Sequence, residues 1–333
     1  AKLKDYFVTL IPISIASLSF ILARINALGF FMKSTIQTEI LNNPFIYSTK
    51  GEEIASVLHT WLIYFKLLFI PHPLTHDYYP WHITIESFSN PTVILALLIT
   101  VVIIAYALLK LPKKNIVAFG ILFFFITFSI QSNVLFNIGT FMNERFMFVA
   151  LLGFCIIIAY FLSKYFQKFK LLKYVFLLVL ILYSTKSFTR TKVWKDNYTL
   201  FTTDVKTSKN SAKVNVSAAE AIIRKAESEK NSFKAKQMYK QALAYLVKAQ
   251  SIHPTYFGAY DLAGKATFHL DDFTNSVKYY KQCLTINPNA PMPLNNIYLI
   301  AQVTLAQNKI EESEQIVKWL IEFAPDSIQY HYE

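Results

Sequence analysis

Only seven of the 333 residues are glycine, two are cysteine, and just 16% are charged. The glycine shortage goes with the absence of any glycine-rich phosphate loop, and neither a zinc-ligand spacing nor a serine-hydrolase elbow appears. Cys155 falls in an apolar run and Cys283 in a repeat region, so a disulfide framework is excluded and redox compartment is left open. The low charge, 54% hydrophobic content and mean hydropathy of +0.34 exclude an ordinary soluble composition. That average covers two classes of structure. Long apolar runs end near Tyr183, and beyond it polar residues appear at ordinary globular density.

What charge there is has one dominant sign: 33 Lys and Arg stand against 21 Asp and Glu, a net +12. These cations do not form a nucleic-acid stripe. They cluster between apolar runs, as Lys110, Lys113 and Lys114 and as Lys164, Lys168, Lys170 and Lys173, the pattern of cytoplasmic loops in a membrane protein. No nucleic-acid partner is expected; membrane lipids are.

A spanning helix needs about 20 predominantly apolar residues to cross about 30 Å of hydrocarbon. Runs at 6–22, 91–109, 116–130 and 146–162 meet that pattern, and 171–183 is extended by Lys170 and Lys173, which can snorkel. A further run at 54–70 carries His59, Trp61, Tyr64 and Lys66. Reading it as an interfacial helix puts all the basic clusters on one side. The expectation is five spans plus one interfacial helix, with 26–90, 132–143 and everything after Thr185 on the non-cytoplasmic side. The chain opens on Ala1 without a signal-peptide pattern, so a C-terminal piece of a longer protein is expected.

From about Ser211 the pattern becomes one of paired helices. Ala242-Leu243-Ala244-Tyr245-Leu246 leads to Ala249 and Pro254. Thirty-four residues on, Ser276 to Tyr279-Tyr280 leads to Cys283 and Asn287-Pro288. Tyr260, Ala263 and Gly264 fit the first helix of the central unit. A third pair at 295–307 and 311–323 ends at Pro325 with a slightly longer period. These are signs of tetratricopeptide repeats, about three of which are needed to bury a continuous core. The fold class is thus all-α: a multi-pass helical membrane domain over 1–187, a linker over 188–210, and a helical-repeat solenoid over 211–333, with room for further repeats.

The outward segments hold the chemistry. His72, His76, His82 and Asp77 lie within twelve residues, but Pro71, Pro73 and Pro80 break any helical face that could align metal ligands, so no metal is expected. Tyr78, Tyr79 and Trp81 read as an interfacial belt. Asp77 reads equally as a paired structural acid or as a catalytic group. Asn143-Glu144-Arg145 opens an apolar run, which places a guanidinium where a lipid phosphate would lie. Asn133 and Asn137 add polar groups nearby. The turn Asn42-Asn43-Pro44-Phe45 and the stretch from Arg190 to Trp194 read as structural.

In this order, the motifs resemble the transmembrane and tetratricopeptide-repeat protein O-mannosyltransferase family. They are Asn43-Pro44-Phe45; Pro73-Leu74-Thr75-His76-Asp77-Tyr78; Glu144-Arg145 before Gly153-Phe154-Cys155; and Arg190 to Trp194 before the repeats. One departure is Phe148-Val149-Ala150-Leu151 where the family has Tyr-x-Pro-Ser. The resemblance implies the C-terminal half of a glycosyltransferase C fold, whose catalytic carboxylate would lie upstream of Ala1. It implies transfer of mannose from a polyprenyl-phosphate sugar to Ser or Thr hydroxyls of an exported protein, with no cofactor. Arg145 would stabilise the leaving phosphate, with Glu144 orienting it and Asp77 positioning donor or acceptor. His76, Tyr78, Asn137 and Asn143 would bind substrate, and the repeats would take the acceptor. A bacterial inner membrane is favoured over the endoplasmic reticulum. The alternatives are an O-antigen polymerase or ligase, or a non-catalytic repeat scaffold.

Overall fold

The computed structural model describes residues 3–28, 40–79 and 82–325. Among them are thirteen α-helices and two 3-10 turns, with no strand. The chain is all-helical. Pro80 and Trp81, part of the expected aromatic belt, lie outside the described residues.

Among the described residues three helices are long and apolar enough to cross a membrane: Leu10–Ala27 within α1 (Leu3–Leu28), α3 (Pro91–Lys110) with its 3-10 extension to Lys113, and α6 (Lys170–Val193). They identify a membrane protein. No residue of α6 is buried, nor any of Leu10–Ala27. Two of the five apolar runs come out shorter. α4 (Ile116–Ser129) has 14 residues and α5 (Leu151–Tyr165) has 15, about 21–23 Å at 1.5 Å per residue. α5 begins later than its apolar run because Asn143 caps a 3-10 turn, Glu144–Met147, that occupies the run's first residues.

α4 and α5 cross at two glycines. A Cβ on Gly120 would sit 2.8 Å from the carbonyl of Gly153, and one on Gly153 would collide with the backbone of Gly120 and Phe124. This is the small-residue contact that lets membrane helices approach closely.

α2 (Lys50–Phe69) starts at a capping box, Thr49 with Glu52, which satisfies donors at the helix start. Its aromatics pack against α4. Trp61 packs on Phe125 and Phe128, with centroids 5.5 and 5.9 Å away, and Tyr64 meets Phe128 edge-on at 4.8 Å. The phenylalanines of α4 give these rings a face to bury against, which the α2 sequence alone does not reveal.

The region expected as a linker is mostly helical. α6 continues to Val193, and a short α7 (Asn197–Asp204) follows. Three helix pairs come next: α8 (Ala212–Glu227) with α9 (Ser232–Ile252), α10 (Phe257–Phe268) with α11 (Phe273–Ile286), and α12 (Pro291–Ala306) with α13 (Ile310–Phe323). Small residues let the pairs close. Gly264 faces the ring of Tyr280, and Ser276 Oγ bonds the Gly264 carbonyl at 2.7 Å. The third pair repeats this, with Ser313 Oγ on the Ala301 carbonyl at 2.8 Å. Asp271 and Asn308 take left-handed φ values of 62° and 64° at equivalent turns, a conformation Asp and Asn tolerate better than most residues.

Candidate functional site

Three segments far apart in sequence converge: the loop after α2, the 3-10 turn before α5, and the stretch from the end of α6 to the start of α8. Glu144 is the anchor between the first two. Its Oε1 accepts from the Thr75 backbone N–H at 2.7 Å and from the Tyr78 hydroxyl at 2.6 Å. Burial pushes the Glu144 carboxyl above the usual range, against the opposing effect of these donors. The same burial pushes the Tyr78 hydroxyl up.

Asp77 turns onto its own loop: Oδ1 accepts from the Tyr79 N–H at 3.0 Å, an Asx turn. Burial raises this carboxyl too, although the charge of Lys213 works against it. Lys213 lies 5.1 Å from the Tyr79 ring centroid and donates to the Leu41 carbonyl.

Asn143 is buried with both ends of its amide engaged. Nδ2 donates to the His76 carbonyl at 2.6 Å, and Oδ1 caps the Arg145 N–H at 3.3 Å. Its backbone N–H and carbonyl both meet the Tyr64 hydroxyl, at 2.9 and 3.0 Å. Asn137 bonds to Asn43 and to the Gly139 N–H, while Asn133 ties down the same loop through Thr140, Phe141 and Ile138. The asparagines expected to meet substrate are therefore turned onto the protein's own loops.

Arg145 is exposed, its guanidinium 5.6 Å from the Phe146 ring centroid. No ion pair joins it to Glu144 among the described residues. The expectation that Glu144 orients Arg145 is corrected here: neighbouring side chains on a helical turn point apart, and Glu144 is held by the loop. The arginine that meets a carboxylate at this site is Arg190. It clamps Asp204 with Nη1–Oδ1 at 2.5 Å and Nη2–Oδ2 at 2.8 Å. Oδ2 of Asp204 also accepts from the His76 N–H at 2.7 Å and faces His76 Nδ1 at 3.1 Å. Burial opposes ionisation of Asp204, but the donors from Arg190 and His76 outweigh it and hold the carboxyl below its ordinary range. Sequence reasoning missed Asp204 entirely and took Arg190 as a junction residue, because their pairing depends on the turn between α6 and α7.

Two cavities are lined in part by α2. One, of about 780 Å³, lies among α2, α3, α4 and α5, and its lining is apolar except for Lys66. The other, of about 290 Å³, is lined by His59, Lys66, His72, Tyr78, His82 and Thr84, with apolar residues that include Ile63. Ile63 and Lys66 line both. Lys66 is in no ion pair among the described residues. Lys186 reaches His72 Nδ1 at 3.2 Å. Burial lowers the pKa of His82, favouring a neutral ring. Among the described residues no group of His, Cys, Asp or Glu is arranged to hold a metal ion.

A family model described as a tetratricopeptide repeat matches residues 257–290, which is α10 and α11. Human protein O-mannosyl-transferase TMTC3 is 29% identical over 210 residues, covering 59% of this chain. The chain is similar to protein O-mannosyl-transferases. The Drosophila melanogaster Tmtc3 is 22% identical over 217 residues, covering 60% of the chain. In both alignments 22% of the relative is covered, so the chain spans about a fifth of the length of these relatives. A thermophilic TPR protein of solved structure from Thermus thermophilus is 18% identical. The match covers 39% of this chain and 66% of that one, with a TM-score of 0.29, too low to add to the helix pairing described above.

Proposed function

We propose that the chain forms part of a membrane glycosyltransferase that moves a sugar, mannose by its similarity to these relatives, from a polyprenyl-phosphate donor to Ser or Thr hydroxyls of exported proteins. The observation that carries this reading is that Lys66 lines both an apolar cavity and a polar pocket. A lipid-linked sugar has the matching order of parts: an isoprenoid chain, a phosphate and a hydroxyl-rich ring. The chain fits the apolar cavity between the helices, and the ring fits the pocket of His72, Tyr78, His82 and Thr84.

In the reaction the acceptor hydroxyl oxygen bonds to the anomeric carbon and gives up its proton to a general base as the bond from that carbon to the phosphate oxygen breaks. Negative charge grows on the leaving phosphate. A fixed cation stabilises it more in the transition state than in the ground state. Lys66 has this role, and Arg145, exposed and without a carboxylate partner among the described residues, supplies a second cation. Asp77 and its loop position the donor sugar or the acceptor. The repeats take the acceptor on the non-cytoplasmic side, and the lipid-linked donor serves as substrate without a separate cofactor.

The test uses the full-length protein in membranes with a labelled polyprenyl-phosphate sugar and a secreted acceptor. Label on acceptor hydroxyls, falling on the order of 100-fold in Arg145→Ala, is the expected result. Undiminished transfer removes Arg145 from the mechanism. Absence of transfer by the unmodified protein from mannose and other common donor sugars removes the reading itself and leaves the scaffold.

A further inference from the structure

The stretch that joins membrane helix to repeats grips the site loop at three points. Asp204, 1% exposed, is the first: it takes the His76 backbone N–H and its ring nitrogen while Arg190 neutralises it from α6. Ser208 is the second, with Oγ 2.9 Å from Thr75 Oγ1 and 3.0 Å from the Asp77 carbonyl. Ser211 is the third, donating to the Tyr79 carbonyl at 2.5 Å while capping α8. Ser208 and Ser211 are both fully buried. Residues 75–79 have no helix or strand of their own, so their backbone groups find partners in these side chains and in Glu144 and Asn143.

The arrangement is more than a tether. A free linker would let the repeats swing, whereas here a buried carboxylate with four donors ties them to the loop. Removing one member of such a set leaves the others buried and unpaired. The chain of bonds also runs onward: from Asp204 through His76 to Asn143, and from Asn143 to Tyr64 on α2. That helix carries Lys66.

We propose that residues 204–211 form a positioning clamp, anchored by Asp204, that holds the loop at 75–79 so that Tyr78 faces the polar pocket. The first turn of the repeat domain is then a structural part of the transferase site. For the reaction this rests on the function proposed above; for the clamp it does not.

The experiment uses the full-length protein in membranes and reads amide hydrogen exchange at 72–84 and across 212–323, together with kcat and donor KM for transfer. Asp204→Asn preserves shape and removes the charge. Exchange at 75–79 is expected to quicken at least about tenfold while the repeat helices stay protected. Misplacement of positioned groups is expected to lower kcat on the order of 100-fold, with donor KM within about twofold. A purely structural contact would not split kcat from KM in this way. Unchanged exchange at 75–79, or a freed loop with kcat intact, overturns the clamp. Should the repeats lose protection as well, the double variant Ser208→Ala, Ser211→Ala decides, because it leaves the ion pair in place. A loosened loop above protected repeats supports the clamp, and an unchanged loop overturns it. Because exchange needs no turnover, it tests the clamp even in a protein that transfers nothing.

Discussion

Tyr78 donates its hydroxyl to Oε1 of Glu144 at 2.6 Å, the same oxygen that takes the Thr75 N–H at 2.7 Å. One carboxylate oxygen thereby fixes the loop after α2 onto the turn before α5. Burial alone would leave the Glu144 carboxyl costly, and these two donors reduce that cost. Tyr78→Phe is expected to lower stability by about 1–3 kcal/mol and to push Glu144 further upward. Thermal unfolding in detergent checks the first effect. A cycle with Glu144→Gln checks the coupling, which should be non-additive.

Lys66 lines both cavities, so its loss should act on donor binding before it acts on the repeats. Lys66→Ala is expected to raise donor KM about tenfold, worth about 1.4 kcal/mol, and to lower kcat as well, because the cation acts most on the charge that grows in the transition state, with Lys66→Arg restoring most of both. Competition between labelled donor and a polyprenyl phosphate lacking the sugar reads the same site directly. An unchanged KM in the alanine variant would place the phosphate elsewhere.

Acid should release the clamp. The folded-state pKa of Asp204 lies below the ordinary aspartate value of 3.8, so its contribution is complete above about that value and is lost as pH falls through the depressed one. Glu144 and Asp77 are shifted the other way. Between their ordinary and raised values the folded state holds the extra proton, and stability falls as pH rises through that window. Exchange at 75–79, corrected for its intrinsic rate, is therefore expected to quicken on strong acidification in the unmodified protein. In Asp204→Asn this acid limb should vanish.

The crossing of α4 and α5 tolerates no side chain. Gly153→Ala drives a methyl into the backbone of Gly120 and Phe124, whereas Gly120→Ala first meets the movable Ile157 side chain at 2.7 Å and then the Gly153 carbonyl. Gly153→Ala is expected to cost about 1–3 kcal/mol and to exceed Gly120→Ala. The comparison is made by thermal aggregation of the detergent-solubilised protein; equal melting of the two variants would contradict this account.

Periodicity and composition by themselves determined the all-α class, the membrane character of the N-terminal part and the pairing of the repeat helices. Each is set by local patterns: apolar run length for α1, α3 and α6, and small residues such as Gly264 and Ser276 at repeat spacing. The order of loop motifs also marked the resemblance to O-mannosyl-transferases. What each polar residue does was decided by the tertiary structure. Glu144 stands beside Arg145 in sequence yet bonds to Thr75 and Tyr78, and Asn143 spends its amide on His76 and Arg145. Asp204 carried no sequence signal because its donors lie 14 and 128 residues away. Lys66 stood out in the sequence only as a charge in an apolar helix, and its place in the lining of two cavities is a product of packing. Hydrogen bonds are short-ranged and directional, so partners are chosen only after packing has brought distant segments within reach.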